Sequence, residues 1–103
     1  MEISSSIIND VLEIRMRGEL DESTAEFAKV HLDNQLTHNR FGKVVLDLTQ
    51  LAFMDSTGIG VVIGRYKLLK KHGKQLFVKN PTATIDKIFK ISGLYEIIPK
   101  VNK

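Results

Sequence analysis

The chain has 103 residues, of which 43% are hydrophobic and 26% are charged, and its formal net charge at pH 7 is +3. This is the size and composition of one globular domain, which excludes a site in a cleft between two domains and disfavours elaborate catalysis. The lack of cysteine excludes disulfides and thiolate metal sites, and the three histidines are too scattered to indicate a metal, so we predict one domain over residues 1–103 without a metal centre.

The chain begins MEISSSIIND, which has neither the basic start nor the continuous apolar stretch of a signal peptide. No later apolar run reaches the length needed to cross a bilayer. We therefore expect a cytoplasmic protein without membrane contact.

A hairpin of two strands is predicted at the start. From Leu12 to Arg17, apolar residues alternate with charged ones, which is typical of a half-buried strand. Asn9 and Asp10 can form a tight turn just before it, and the segment from Met1 to Ile7 contains apolar residues at intervals.

A first helix is predicted next. Ser23 and Glu26 have the spacing of a capping box, in which the serine accepts from a free helix N–H and the glutamate reaches back. Apolar residues at helical spacing then mark one face of this helix: Ala25, Ala28, Leu32 and Leu36.

A central strand and a second helix follow. The unbroken apolar run in residues 43–48 is typical of a strand covered on both faces. From Gly58 to Lys71, apolar residues recur at helical spacing, which predicts a helix that ends near Gly73. Its inward residues are Ile59, Val62, Ile63, Tyr66 and Leu69.

A strand, a third helix and an edge strand complete the pattern. Gln75 to Lys79 is predicted as a strand. Asn80 is suited to cap a helix whose first residue is Pro81, where the missing N–H costs nothing. This helix is expected to end at Gly93, and residues 97–101 are expected to form an edge strand, where a proline is tolerated. The inward residues of the helix are Ile85, Ile88 and Phe89.

The order of these elements predicts an α/β fold. Two strands followed by alternating helices and strands imply right-handed crossovers and a mostly parallel sheet. We predict a sheet of four to five strands with an antiparallel N-terminal strand, and about three helices.

Charge is distributed unevenly along the chain. Residues 1–51 carry 5 basic and 9 acidic groups, whereas residues 52–103 carry 10 basic and 3 acidic groups. The basic half is compatible with a solvated lysine-rich surface, an acidic protein partner or nucleic acid. Its lysines lack interleaved aromatic residues for base stacking, so we expect no direct nucleic-acid binding.

The loop before the second helix is the most informative segment; it reads FMDSTGIG. In open α/β sheets, binding sites form where such loops follow the carboxyl ends of strands. Asp55, Ser56 and Thr57 all cap helices well, so an N-cap alone can explain the segment. Three capping residues nevertheless exceed what one cap needs, and Gly58 and Gly60 lower helix propensity in the first turn. Close approach by a partner would explain both features.

The second helix also carries candidate contacts on its outer side. Gly60 and Gly64 lie one turn apart, and Val61, Arg65 and Leu68 form an outward stripe that the inward apolar face does not use. The stripe is either scattered surface apolarity or a partner-binding patch.

These motifs resemble those of one family. FMDSTGIG, the following GRYK and the earlier GELD, together with ISGL and a closing pair of isoleucines, are similar to the STAS-domain anti-sigma-factor antagonists of spore-forming and related Gram-positive bacteria. The similarity covers nearly the whole chain. Relatives usually continue into a further C-terminal helix beyond the position of Lys103, and we expect another occupant of that surface here.

The resemblance implies partner switching. In that family the serine after the aspartate, here Ser56, is phosphorylated by the anti-sigma factor, which is a serine kinase. The unphosphorylated antagonist binds this kinase and frees the sigma factor, phosphorylation ends the binding, and a PP2C-type phosphatase restores it. The resemblance also implies a non-enzyme without a cofactor that is a monomer when free, from either the sporulation or the general-stress branch.

The remaining residues of the segment receive roles on the same basis. Asp55 is assigned to capping and to orienting the serine hydroxyl, and Thr57 to a second cap. Gly58 and Gly60 are assigned to close partner approach. Asp21 either lines the same surface or starts the first helix.

Three other functions compete with this one. An enzyme would use Ser56 as a nucleophile, but no histidine is predicted at this end of the sheet to act as its base. A nucleotide-binding role lacks a Walker-type loop. A STAS scaffold subunit of a transport or signalling assembly would keep the fold and use the same helix as a permanent dock without phosphorylation.

Overall fold

The computed structural model describes residues 1–101 of the chain, which contain five strands and three α-helices. The strands are β1 (Glu2–Ile8), β2 (Val11–Leu20), β3 (Lys43–Met54), β4 (Gln75–Lys79) and β5 (Lys100–Val101), and the helices are α1 (Ala25–His38), α2 (Ser56–Lys71) and α3 (Ala83–Ser92). A short 3-10 turn over Leu94–Glu96 follows α3. The last two residues of the predicted domain, Asn102 and Lys103, lie outside the described residues.

The strands form one sheet in the order β1-β2-β3-β4-β5. β1 is antiparallel to β2, and all other neighbouring strands are parallel. The predicted fold class is therefore confirmed, and β3 has the predicted central position.

The hairpin turn is formed by the two predicted residues. Asn9 and Asp10 have φ values of 51° and 70°. Short polar side chains tolerate this left-handed region, and the turns that suit two-residue hairpins require it. The sequence signal for the turn is thus explained by backbone conformation.

The core lies on one face of the sheet. Leu12, Ile14 and Met16 of β2 are fully buried and belong to the same hydrophobic cluster as the buried residues of all three helices. Val44 and Val45 of β3 point to opposite faces and are both buried, as predicted for a central strand.

The other face of the sheet is more polar. Glu13 Oε2 lies 2.6 Å from Lys79 Nζ, an ion pair that reaches from β2 to β4 across β3. Arg15 Nη1 lies 3.3 Å from the other carboxylate oxygen of Glu13. The alternation in β2 therefore separates an apolar face from a charged one.

The capping box predicted for α1 is wrong. Thr24 is the N-cap and makes no side-chain cap hydrogen bond. Ser23 Oγ instead donates to Asp21 Oδ1 at 2.7 Å, and Thr24 Oγ1 donates to the carbonyl oxygen of Glu19 at 2.8 Å. The polar side chains of Ser23 and Thr24 fold the loop onto itself, and Glu26 lies exposed in the first turn of α1.

The predicted start of α3 at Asn80 and Pro81 is also wrong. Thr82 is the N-cap, and its Oγ1 accepts from the backbone N–H of Ile85 at 3.3 Å. Thr82 Oγ1 also donates to the carbonyl oxygen of Leu51, 3.3 Å away. A contact with β3 therefore decides where this helix begins, and Asn80, with φ at 52°, belongs to the preceding loop.

The last segment forms a shorter edge strand than predicted. Gly93 ends α3 as expected, with φ at 76°. Strand pairing with β4 is limited to Lys100 and Val101. Ile98 is fully buried and belongs to the core, whereas its neighbours Ile97 and Pro99 are exposed.

Asp86 connects α3 to the segment that follows it. The Tyr95 hydroxyl donates to Asp86 Oδ1 at 2.5 Å, and Lys100 Nζ lies 3.1 Å from the same oxygen. Lys90 Nζ lies 3.0 Å from Asp86 Oδ2. The hydrogen bond from Tyr95, followed by those from the two lysines, lowers the pKa of Asp86.

We predict that Asp86→Asn makes the protein less stable at pH 7 than the wild type, and that this difference shrinks as the pH falls below about 4. A carboxyl group whose folded pKa is lowered stabilises the fold above its unfolded pKa, which is about 3.9 for aspartate, and loses this effect as the pH falls through the folded pKa. Urea unfolding at pH 7, 5 and 3 measures the difference. Glu96→Gln, at an exposed carboxyl group nearby, serves as the control. A difference that stays constant with pH would contradict the assignment.

Candidate functional site

The candidate site lies at the edge of the sheet where β2 and β3 end. Leu20, the last residue of β2, is paired with Met54, the last residue of β3. The backbone N–H of Asp55 donates to the carbonyl oxygen of Leu20 at 3.3 Å. The loop after β2 and the start of α2 are therefore neighbours, as expected for the carboxyl ends of adjacent parallel strands.

Asp55 holds both of these segments with one carboxylate. Asp55 Oδ1 accepts from the backbone N–H of Gly58 at 2.9 Å, which caps α2. Asp55 Oδ2 accepts from the backbone N–H of Glu22 at 3.1 Å. The predicted cap is confirmed. The predicted orientation of the Ser56 hydroxyl by Asp55 stays a prediction; in this structure both carboxylate oxygens accept from backbone N–H groups.

Ser56 is the first residue of α2 and is exposed. The helix thus begins two residues earlier than predicted, at the serine instead of at Gly58. Thr57 is also exposed. It is the second residue of the helix, whose N-cap is Asp55, so its predicted role as a second cap is wrong. The two adjacent hydroxyl groups therefore stand at a helix start that a third residue, Asp55, already caps.

Asp21 shapes the loop that Asp55 holds. Asp21 Oδ1 accepts from the Ser23 N–H at 2.9 Å, the Ser23 hydroxyl at 2.7 Å and the Thr24 N–H at 3.2 Å. The hydrogen bond from the Ser23 hydroxyl is the main cause that lowers the pKa of Asp21, so this carboxyl group is ionised at neutral pH. Asp21 thus organises the turn before α1, and it does so next to the residue whose N–H meets Asp55.

Glu22 is a component of the site that the sequence did not indicate. Its backbone N–H, not its side chain, makes the contact with Asp55, and nothing in the residue type marks such a contact. The indirect signal is the pair of predicted strand ends, which places this loop beside the start of α2. Together, Asp21, Glu22 and Asp55 bring three carboxyl groups to the edge of the sheet that carries Ser56.

Gly58 is required by packing inside the domain, and its predicted role in partner approach is wrong. It is buried, and a Cβ atom there would lie 2.3 Å from the carbonyl oxygen of Leu20 and 2.8 Å from Met54 Cγ. The first turn of α2 can pack against the ends of β2 and β3 only if this position lacks a side chain.

Gly60 and Gly64 face open space. A Cβ atom at either position would have no neighbour within 4 Å. Together with Thr57 they line a shallow groove of about 390 Å³ between α1 and α2, and we call it the α1–α2 groove. Its other lining residues are Ala25, Glu26, Lys29, Val61 and Arg65. The groove therefore begins directly beside Ser56.

The predicted outward stripe is wrong for two of its three residues. Val61 is only 8% exposed and belongs to the core. The Arg65 side chain is 12% exposed, and its Nε lies 3.1 Å from Asp33 Oδ1 on α1. This contact is an ion pair, since the N–H does not align with the oxygen as a hydrogen bond requires. α1 packs over this side of α2, and only Leu68, 38% exposed, remains outside.

Neither a cluster of metal-binding side chains nor a membrane-spanning helix is found within residues 1–101. No group of three or more His, Cys, Asp or Glu side chains there is arranged to hold a metal ion. No helix there has the length and apolar character of a membrane span. His31 and His38, both on α1, contact backbone carbonyl oxygens of their own helix.

Known proteins with the same fold have closely related sequences. The STAS domain family matches residues 2–103. An anti-sigma F factor antagonist of Paenibacillus polymyxa is 36% identical over 89 residues, which cover 86% of this chain and 76% of that protein. An anti-sigma-B factor antagonist of Listeria monocytogenes is 34% identical over 90 residues, which cover 86% of this chain and 77% of that protein.

Two solved structures of SpoIIAA, one unphosphorylated and one phosphorylated, resemble this fold. The anti-sigma factor antagonist SpoIIAA in its unphosphorylated form has a TM-score of 0.79 at 25% identity, covering 99% of this chain and 90% of that one. The Bacillus cell fate determinant SpoIIAA in the phosphorylated form has a TM-score of 0.72 at 25% identity, covering 99% of this chain and 93% of that one.

We predict opposite effects of alanine at two glycines of α2. Gly58→Ala should lower the free energy of unfolding by about 1 to 3 kcal/mol, because the added methyl group meets a backbone oxygen that cannot move freely. Gly60→Ala should raise it by up to about 1 kcal/mol, because alanine favours the helix and the site is open. Urea unfolding followed by circular dichroism measures both variants. Equal effects at the two positions would contradict this account of Gly58.

We predict that Asp55→Ala lowers the free energy of unfolding by about 0.5 to 2 kcal/mol through the lost cap. The Glu22 amide should also exchange its hydrogen faster, since its acceptor is gone. Thr57→Ala is the matched control and should change stability by less than about 0.5 kcal/mol. Unchanged exchange at Glu22 in Asp55→Ala would show that this residue does not hold the loop.

Proposed function

Because this chain belongs to the STAS-domain family of anti-sigma-factor antagonists, we propose that its unphosphorylated form binds an anti-sigma-factor serine kinase and thereby releases a sigma factor. Phosphorylation of Ser56 by that kinase ends the binding, and a PP2C-type phosphatase restores it. The observation that carries the proposal is the exposed Ser56 at the first position of α2, directly after the capping aspartate.

Access to Ser56 supports its role as the phosphate acceptor. The side chain is exposed, and the residue that caps the helix is its neighbour, Asp55. A kinase can therefore phosphorylate the Ser56 hydroxyl without breaking the helix cap. Thr57 offers a second exposed hydroxyl one residue later, so the two must be separated by experiment.

The fold should tolerate the phosphate. A phosphoserine carries about −1.5 to −2 charges at pH 7. At the start of α2 these charges meet the positive end of the helix and its free N–H groups, each favourable contact being worth about 0.3 to 1 kcal/mol. These contacts offset the repulsion from Asp55 and from the carboxyl groups of Asp21 and Glu22 at the same edge.

Binding of the partner should not tolerate the phosphate on Ser56. A partner that packs over Ser56 must remove water from a dianion in a region that already holds three carboxyl groups. Such desolvation costs several kcal/mol unless it is compensated, and each ~1.4 kcal/mol is a factor of ten in affinity. The phosphate therefore switches the affinity for the partner and leaves the fold in place.

The α1–α2 groove is the proposed contact surface beside the serine. Gly60 and Gly64 place no side chains in the groove, so that a partner side chain or helix can approach the backbone of α2 closely. Thr57, Asp21 and Asp55 border the same region. Leu68, the remaining predicted contact, is exposed on α2 but does not line the groove. Arg65 contributes through its ion pair with the half-exposed Asp33, which joins the two helices that form the groove.

A permanent STAS scaffold is the alternative function. It would use the same helix and the same groove but would gain no phosphate. The cytoplasmic location, the monomeric free state and the absence of direct nucleic-acid binding remain predictions from the sequence.

We predict a gain of one phosphate on incubation with a cognate anti-sigma-factor kinase and ATP, measured by intact-mass spectrometry. Ser56→Ala should abolish this gain, whereas the matched control Thr57→Ala should retain it. A wild-type protein that neither gains phosphate nor binds the kinase would support the scaffold function instead.

Ser56→Asp separates a binding switch from a folding switch. We expect this variant to keep its circular-dichroism spectrum and its melting temperature within a few degrees, and to bind the kinase at least about tenfold more weakly. An unfolded or strongly destabilised variant would contradict the proposed mechanism, even if binding were lost.

A further inference from the structure

A second concave region lies at the opposite end of the sheet from Ser56, where the parallel strands begin. It is a cleft of about 600 Å³, within the range of roughly 300 to 1,000 Å³ that is typical of small-molecule sites. α1 and α2 end beside it, and the turn at Asp10 and the loops before β3 and β4 close it. Since α2 has 16 residues, the cleft lies roughly 23 Å along the helix axis from Ser56. We call it the distal cleft.

The walls of the distal cleft are partly apolar and come from separate elements. Leu36 of α1, Leu68 and Leu69 of α2 and Phe41 of the loop before β3 all line it. Phe41 and Leu69 are buried, whereas Leu68 is exposed. An apolar group that enters the cleft would therefore cover the exposed part of Leu68 while it rests on a wall that is already packed.

Two cations stand at the same place. Lys74 Nζ donates to the carbonyl oxygen of Phe41 at 2.6 Å and lies 5.3 Å from the centre of the Phe41 ring. These contacts hold the ammonium group at the wall of the cleft, and two of its three N–H donors remain for other acceptors. Arg40 lines the cleft with an exposed side chain, and Asp10 is the one acidic residue among the lining residues.

The other charges around the cleft partly offset one another. The carboxyl ends of α1 and α2 bring partial negative charge to the cleft. Lys70 and Lys71 in the last turn of α2 lie where they offset it. Arg40 and Lys74 are therefore left to act on a ligand.

We propose that the distal cleft binds a small organic anion with an apolar body, such as an aromatic or short aliphatic carboxylate. The apolar body packs on Leu36, Phe41 and Leu68, and the carboxylate faces Arg40 and Lys74. A neutral apolar molecule would offer no negative charge to Arg40 and Lys74, and a small inorganic anion would leave the apolar wall uncovered. This site does not depend on the function of Ser56.

Two probes of matched size test the proposal in the full chain. 2-Naphthoate and the neutral 2-naphthylmethanol are titrated into ¹⁵N-labelled protein, and amide shifts are followed; octanoate replaces the aromatic body in a third titration. We expect saturable shifts with both carboxylates that cluster at residues 36–41 and 68–74 and spare residues 55–60. The alcohol should bind at least about threefold more weakly than the naphthoate.

Variants at the cleft and away from it complete the test. Arg40→Gln should weaken naphthoate binding about three- to fivefold, and the matched control Arg17→Gln, an exposed arginine on β2, should leave it unchanged. Leu68→Ala should weaken it as well, whereas Ile91→Ala, at an exposed isoleucine on α3, should not. No saturable binding of either carboxylate up to about 10 mM, shifts scattered over the surface, or equal binding of acid and alcohol would overturn the proposal.

Discussion

The carboxylate of Asp55 is the interaction on which the functional end of this domain depends. One oxygen satisfies a free N–H at the start of α2, and the other holds the loop that leads into α1. Because a single side chain does both, the positions of the two helices and the exposure of Ser56 are coupled. A charged acceptor suits this task, since hydrogen bonds to an ionised group are stronger than those between neutral groups.

Close packing at Gly58 completes this arrangement. The missing side chain lets the first turn of α2 rest on the carbonyl oxygen of Leu20, so the helix starts where β2 and β3 end. Fixed in this way, Ser56 is presented on a rigid support instead of a mobile loop. The proposed phosphate on Ser56 would therefore change the binding surface while the packing beneath it stays the same.

The sequence predicted the elements and their order because strands and helices leave periodic apolar patterns. The starts of α1 and α3 were harder to predict from the sequence. Near Ser23 and near Asn80, several residues able to cap a helix lie side by side. Contacts with Glu19 and Leu51 decide which of them is the N-cap. Gly58 could not be interpreted from local sequence, since its nearest clash is with the carbonyl oxygen of Leu20 at the end of a distant strand. The burial of Val61 and Arg65 depends on how far α1 covers α2, which no pattern within α2 reveals.

The uneven charge of the chain becomes a separation of acidic and basic groups in the folded protein. Acidic groups gather at the start of α2, and Lys70, Lys71 and Lys74 at its end, while α2 itself has no acidic residue. The domain is therefore an electric dipole that orients during diffusion and presents its acidic end to a basic surface. A phosphate on Ser56 would enlarge this dipole, so the modified form would meet such a partner at least as often as the unmodified one. Its weaker binding would then be expressed in faster dissociation, and the encounter rate would fall with added salt in both forms.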